Sequence, residues 1–165
     1  MNTDMPPEEV AQKVAEMTLR LDALLSQTKA LPDECAASVA GIAVVAQGVG
    51  LRSAALFARE GQAHHGPLSP MRLATAVVYA AISTDLENGW RSLSNQSVFA
   101  THCTGCGTLG YEVGLSQYRA GFMKAQQYWA TWAELEPDRE LTMIQLHEAE
   151  RSMLASYQAE LEGTS

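Results

Sequence analysis

Val10, Val14, Met17, Leu21, Leu24, Thr28 and Leu31 recur along the chain with spacings that alternate strictly between four and three. A stripe with this 3.5-residue repeat stays on one side of an α-helix, so it needs a neighbouring helix to cover it. The repeat covers only three heptads, which points to a helix of an ordinary bundle rather than a free-standing coiled coil. Leu19 and Leu25 widen the stripe. The start of the helix is legible too. Thr3 or Asp4 can cap it, Pro6 and Pro7 suit its first turn, and Glu8 and Glu9 sit toward the positive end of its dipole.

The rest of the chain keeps the helical period. Pro32 and Asp33 break and restart it, and a second helix is expected to about Glu60, with Val39, Ile42, Val45 or Ala46 and Val49 along its apolar side. Ala36, Ala37, Ala40, Gly41, Ala43 and Ala46 leave its backbone open to close approach, and Gly48 to Gly50 suggest a kink. Ser69 followed by Pro70 is the clearest start in the chain, opening a third helix expected to end near Gly89 or soon after Leu93. Four glycines at 105, 107, 110 and 114 make the segment near 103–114 an expected Gly-rich irregular stretch, either a glycine-loosened helix or a helix pair with a loop. From Ser116 the period returns, with Tyr118, Phe122, Ala125, Trp129 and Trp132 on one face of a helix that ends at Glu136. Pro137 and Asp138 are then expected to open a last helix through Leu141, Ile144 or Met143, Leu146, Met153, Tyr157 and Leu161. No strand-like alternation of any length occurs. The fold class expected is therefore all-α, with residues 1–165 forming a single-domain helical bundle of about five helices.

A chain of 165 residues can bury a core without disulfides or a metal to hold it. Its net charge is −8 and it has no run of Lys or Arg, so neither nucleic acid nor an anionic membrane surface is an expected partner. The uncharged stretch from Cys35 to Leu51 has seventeen residues, near the minimum for a bilayer span. Alanine and glycine dominate it and Gln47 interrupts it, so a buried helix is expected and a membrane is not. The opening "MNTDMPPEEV" is acidic and proline-bearing, unlike a secretory signal, and three cysteines are an odd number. A cytoplasmic location is expected. Residues 35 to 118 carry only eight of the thirty charged residues, and Ser92 to Tyr111 carry none. Such a segment needs cover from outer helices or from another chain, and a homo-oligomer, most simply a two-fold dimer, is expected.

The stretch "THCTGCGTLG", residues 101–110, invites three chemical readings. Gly105 to Gly110 match the glycine fingerprint of dinucleotide loops, but that loop needs a preceding strand and a β-α-β unit, which an all-helical chain does not provide. Cys103 and Cys106, at i and i+3, are spaced for a redox pair, which usually stands in a strand-helix setting. His102, Cys103 and Cys106 could ligate zinc, with His64 or His65 as fourth ligand, although structural zinc sites usually bring two Cys-x-x-Cys pairs. The preferred reading is two small thiols packed among glycines, with no cofactor.

Elsewhere the signals are thinner. Arg59 and His64 have the Arg-x(4)-His spacing of the helical HEPN ribonucleases, where both residues serve the scissile phosphate. The resemblance is confined to that spacing, Glu60 stands where the motif prefers a neutral polar residue or Asp, and the acidic chain does not favour a nuclease. Asp85 and Glu87, two apart on a helix, face differently and do not form an acid-base pair. No Gly-x-Ser-x-Gly elbow, Walker sequence or paired Glu-x-x-His is present, so no catalytic residue is assigned. The aromatic stripe from Tyr118 to Trp132 is expected in the core, and any member left exposed marks a docking face. The function expected is a non-catalytic helical protein-interaction module, an adaptor, inhibitor, immunity-type or assembly protein, whose acidic surface meets a basic partner. The alternative is a small metal-binding or thiol-redox protein centred on His102, Cys103 and Cys106.

Overall fold

The computed structural model describes residues 5–31, 33–94 and 108–163. Among these the chain forms six α-helices and no strand, the all-α bundle expected from its periodicity. They are α1 (Pro7–Thr28), α2 (Asp33–His65), α3 (Pro70–Ile82), α4 (Thr84–Ser94), α5 (Thr108–Leu135) and α6 (Met143–Gly163).

The two longest helices, α2 and α5, form the frame, and they cross where neither has a side chain. A methyl group added at Gly50 would run into the main chain of Tyr118, and one at Gly121 into the backbone of Gln47 and Leu51. The helix is continuous through the glycines of α2, and close approach is what Gly50 permits. α3 lies against α5 and is buried nearly all round, with Leu73, Ala76, Val77, Val78 and Ala81 in the core. Trp90 of α4 and Trp129 of α5 are fully buried large rings, and burial of that kind contributes roughly 1.5–3 kcal/mol per side chain. α6 packs on α2, and α1 on α5. All seven residues of the α1 stripe turn inward, though only Leu24 is buried, while Leu19 is 69 % exposed and does not widen the stripe.

Several boundaries differ from the sequence reading. α2 continues to His65, so His64 and His65 form its last turn rather than a loop, and Gly66 ends it in the left-handed conformation at φ 83°. The third helix is two. Ser69 caps α3 as expected, accepting from the Arg72 amide at 3.3 Å, but Ser83 is extended and divides α3 from α4. Its hydroxyl donates to Ala80 O at 2.8 Å and accepts from Leu86 N at 3.2 Å, closing one helix and opening the next. The irregular segment expected near 103–114 is helical from Thr108. Gly110 and Gly114 lie buried inside α5, with Gly114 pressed against the Trp90 indole, so packing overrides glycine's poor propensity there. The last helix starts at Met143 rather than at Pro137. Thr142 and Gln145 form a reciprocal cap, with Thr142 N donating to Gln145 Oε1 at 2.9 Å and Gln145 N to Thr142 Oγ1 at 3.2 Å.

One buried side chain ties the connections together. Gln62 donates to Leu141 O at 2.5 Å and accepts from Leu68 N at 3.3 Å, while Leu141 N donates to Leu68 O at 3.1 Å. The α5–α6 connection is thereby fastened to the α2–α3 connection, and the direction in which α6 returns over α2 is set.

Candidate functional site

α5 and α6 both lie on α2, and a groove of about 570 Å³ opens between them, floored by Leu51. On α5 the lining residues Lys124, Tyr128, Thr131, Trp132 and Leu135 follow helical spacing over three turns, and on α6 Met153, Tyr157 and Glu160 face them. The aromatic stripe divides here. Tyr118, Phe122 and Trp129 are buried, as their spacing implies, while Trp132 is half-buried and forms the groove wall. Tyr128 was not in that stripe. It follows Lys124 by four positions and precedes Trp132 by four, a second face of α5 on which Leu135 is 81 % exposed.

The walls are held in place. Trp132 stacks on Trp129 with ring centroids 5.8 Å apart and meets Tyr128 edge-on at 6.3 Å. Its Nε1 donates to Glu136 at 3.4 Å, and Arg139 Nη1 reaches both oxygens of that carboxylate at 2.9 and 3.0 Å. The Trp132 hydrogen bond first, and then that from Arg139, hold the Glu136 carboxyl below the usual range. Opposite, Tyr157 inserts against Gly48, where an added methyl would stand 3.1 Å from its ring, and its hydroxyl donates to Val44 O at 2.8 Å. Burial, and then the Glu160 charge, push the Tyr157 hydroxyl up from its ordinary value. Lys124 spans the gap. Its Nζ is 2.6 Å from Glu160 and 5.9 Å from the Tyr157 ring centroid. Gln127, Thr131 and Ser156 add neutral hydrogen-bonding groups, so the groove is apolar along its floor and walls and polar at its rim.

The residues considered for metal or redox chemistry do not come together in what is described. His102, Cys103 and Cys106 lie outside the described residues. His64 and His65 are exposed in the last turn of α2, and among the described residues no group of three or more His, Cys, Asp or Glu side chains is placed to hold a metal ion. Arg59, half of the ribonuclease-like spacing, faces Glu150 of α6 across 3.0 Å.

A second surface stands out on α2. Ala37, Ala40, Gly41, Val44 and Val45 are exposed on its outer side, the two valines by 48 and 44 %. By length and composition this helix, from Cys35 to His65, suffices to cross a membrane, yet only 39 % of its most apolar window is buried in the bundle. The charge-poor centre is therefore covered unevenly, with α3 enclosed and the first half of α2 open on one side. No protein-family model, curated protein or solved structure matches the chain.

Proposed function

We propose that the protein is a non-catalytic helical interaction module that receives an amphipathic, basic helix of a partner protein in the groove between α5 and α6. The observation that carries this reading is the groove's combination of shape and charge. Two turns of α5 offer Tyr128, Trp132 and Leu135 at the i, i+4 and i+7 positions that an apolar helix face meets. The charged lining residues are the paired Lys124 and Glu160, and the chain from Trp132 to Gly163 beside them holds eight carboxylates and two arginines. An apolar helix with lysines or arginines along its flanks satisfies both features, and the excess of acid speeds the encounter.

The test uses two synthetic amphipathic helices with the same leucine face, one flanked by lysine and the other by glutamate. The lysine peptide is expected to bind one per chain and to shift tryptophan emission through Trp132, and the glutamate peptide is not. Leu135→Glu and Trp132→Ala should each weaken the lysine peptide by about tenfold or more. Equal binding of the two peptides, or variants that bind as the unaltered protein does, would refute the reading.

Self-association is the second part of the proposal, and the exposed side of α2 supports it. Two chains of net charge −8 repel wherever acidic surfaces meet, and from Cys35 to Leu51 there is no formal charge. Ala37, Ala40 and Gly41 let a second helix come close, and Val44 and Val45 supply apolar area.

A further inference from the structure

We infer that a cleft enclosed by α2, α3, α4 and α5 binds a small organic cation: an amine protonated at neutral pH and carrying an apolar body. The cleft has a volume of about 550 Å³, within the range of small-molecule sites, and it shares no lining residue with the α5–α6 groove.

Its shape follows from the fold. Ser53, Phe57 and Glu60 fall on one side of α2 at i, i+4 and i+7. Ala76 and Ala80 of α3 are too small to fill the space opposite, so it stays open. The break at Ser83 turns the chain so that Asp85 at the start of α4 reaches the rim. Tyr118 and Phe122 of α5 close the inner end.

Four of the lining side chains are aromatic: Phe57, Tyr79, Tyr118 and Phe122. Tyr118 and Phe122 meet edge-on at 5.6 Å, and the Tyr118 hydroxyl donates to Ser53 Oγ at 3.1 Å, which leaves the phenol oxygen as an acceptor. Ring faces attract a cation through their quadrupole, and more strongly where water is partly excluded. Among the described residues the charged ones lining the cleft are Glu60 and Asp85, with no Lys, Arg or His. Two bases adjacent in sequence to lining residues have partners in the bundle, and Arg52, beside Ser53, is exposed. Arg59 is 3.0 Å from Glu150 on α6, and Arg119 Nε donates to Ala81 O at 3.0 Å. Among the described residues neither Glu60 nor Asp85 is ion-paired. An ammonium group at the rim would meet carboxylate charge from Glu60 or Asp85 while its apolar body lies on the rings. A carboxylate or phosphate in the same place would meet uncompensated negative charge.

Three probes of one shape distinguish the outcomes by calorimetry: phenethylammonium, the neutral 2-phenylethanol and the anionic 3-phenylpropionate. Phenethylammonium is expected to bind one per chain, more weakly as salt is raised, and the other two are expected not to bind measurably. Glu60→Gln with Asp85→Asn should weaken the cation by about tenfold or more. Both carboxylates are exposed, so the fold should survive, and the helical circular dichroism of the variant checks this. Glu148→Gln, on the exposed side of α6 and outside the cleft lining, removes one negative charge elsewhere and should leave binding unchanged. No binding of phenethylammonium, equal binding of the alcohol, or an equal effect of Glu148→Gln overturns the assignment.

Discussion

The absence of a side chain matters most at Gly50 and Gly121, because there two helices touch main chain to main chain. A β-carbon at either position has no flexible neighbour to push aside, so the helices themselves must separate. Gly121→Ala is therefore expected to destabilise by about 3 kcal/mol or more in equilibrium urea unfolding. Gly89→Ala, in α4 with nothing within 4 Å of the added carbon, should be neutral or stabilising by about 0.5–1 kcal/mol. Similar values for the two variants would show that propensity rather than approach governs these positions. Tyr157 makes a different kind of claim, about pH. Its hydroxyl titrates above the ordinary 10.0 because burial, and then Glu160, disfavour the phenolate. Below that value the residue is neutral in folded and unfolded chains alike, and its contribution to stability is fully present. As pH rises past it the unfolded chain ionises first, and the contribution is lost on the way up through the folded-state value. Urea titrations from neutral pH into this range should show Tyr157→Phe less stable at neutrality by about 1 kcal/mol, for the lost bond to Val44 O, but with a shallower alkaline decline.

At the level of elements, helix starts were easier to read than helix ends. Ser69 with Pro70 was unambiguous, because a side-chain cap and a fixed φ are properties of the two residues themselves. The Thr142–Gln145 capping box was equally local, yet Pro137 and Asp138 offered a competing start five residues earlier. Tertiary hydrogen bonds settle the matter, since the main chain of Leu141 is taken by Leu68 and Gln62 and cannot join a helix. Gln62 thus secures two connections with one side chain. Gln62→Leu keeps the volume but strands a buried N–H and a buried C=O, and should destabilise by about 2–4 kcal/mol. Hydrogen exchange at the Leu68 amide provides a local check. It should accelerate in the variant by more than global destabilisation alone accounts for, and unchanged stability would show that Gln62 is dispensable.

For the whole molecule the prediction concerns its copies. The outer face of α2 leaves Val44 and Val45 exposed in a stretch without charge, and a two-fold pairing along it would cover them. Light scattering across a concentration series is expected to show a dimer at tens of micromolar. Val44→Glu should shift it to monomer by setting like charges against each other across the axis. A strict monomer in the unaltered protein would sink the proposal. Neither the α5–α6 groove nor the cleft near Glu60 has Val44 or Val45 among its lining residues.

The sequence alone determined that this chain is helical, where several helices begin, and which face of most of them turns inward. Period and capping are properties of a few neighbouring residues, and the stripes of α1 and α5 and the Ser69 cap read correctly for that reason. Only the tertiary structure decided which faces meet. That α3 is enclosed while half of α2 is open, that Gly114 is helical with Trp90 filling the space beside it, and that α5 and α6 part over Leu51 all depend on residues far apart in the chain. The groove was half legible: Trp132 stood in the aromatic stripe, whereas Tyr128 belongs to a second face that only the placement of α6 completes. The cation cleft was not legible at all, because its rings and carboxylates come from four helices and no local spacing records their convergence.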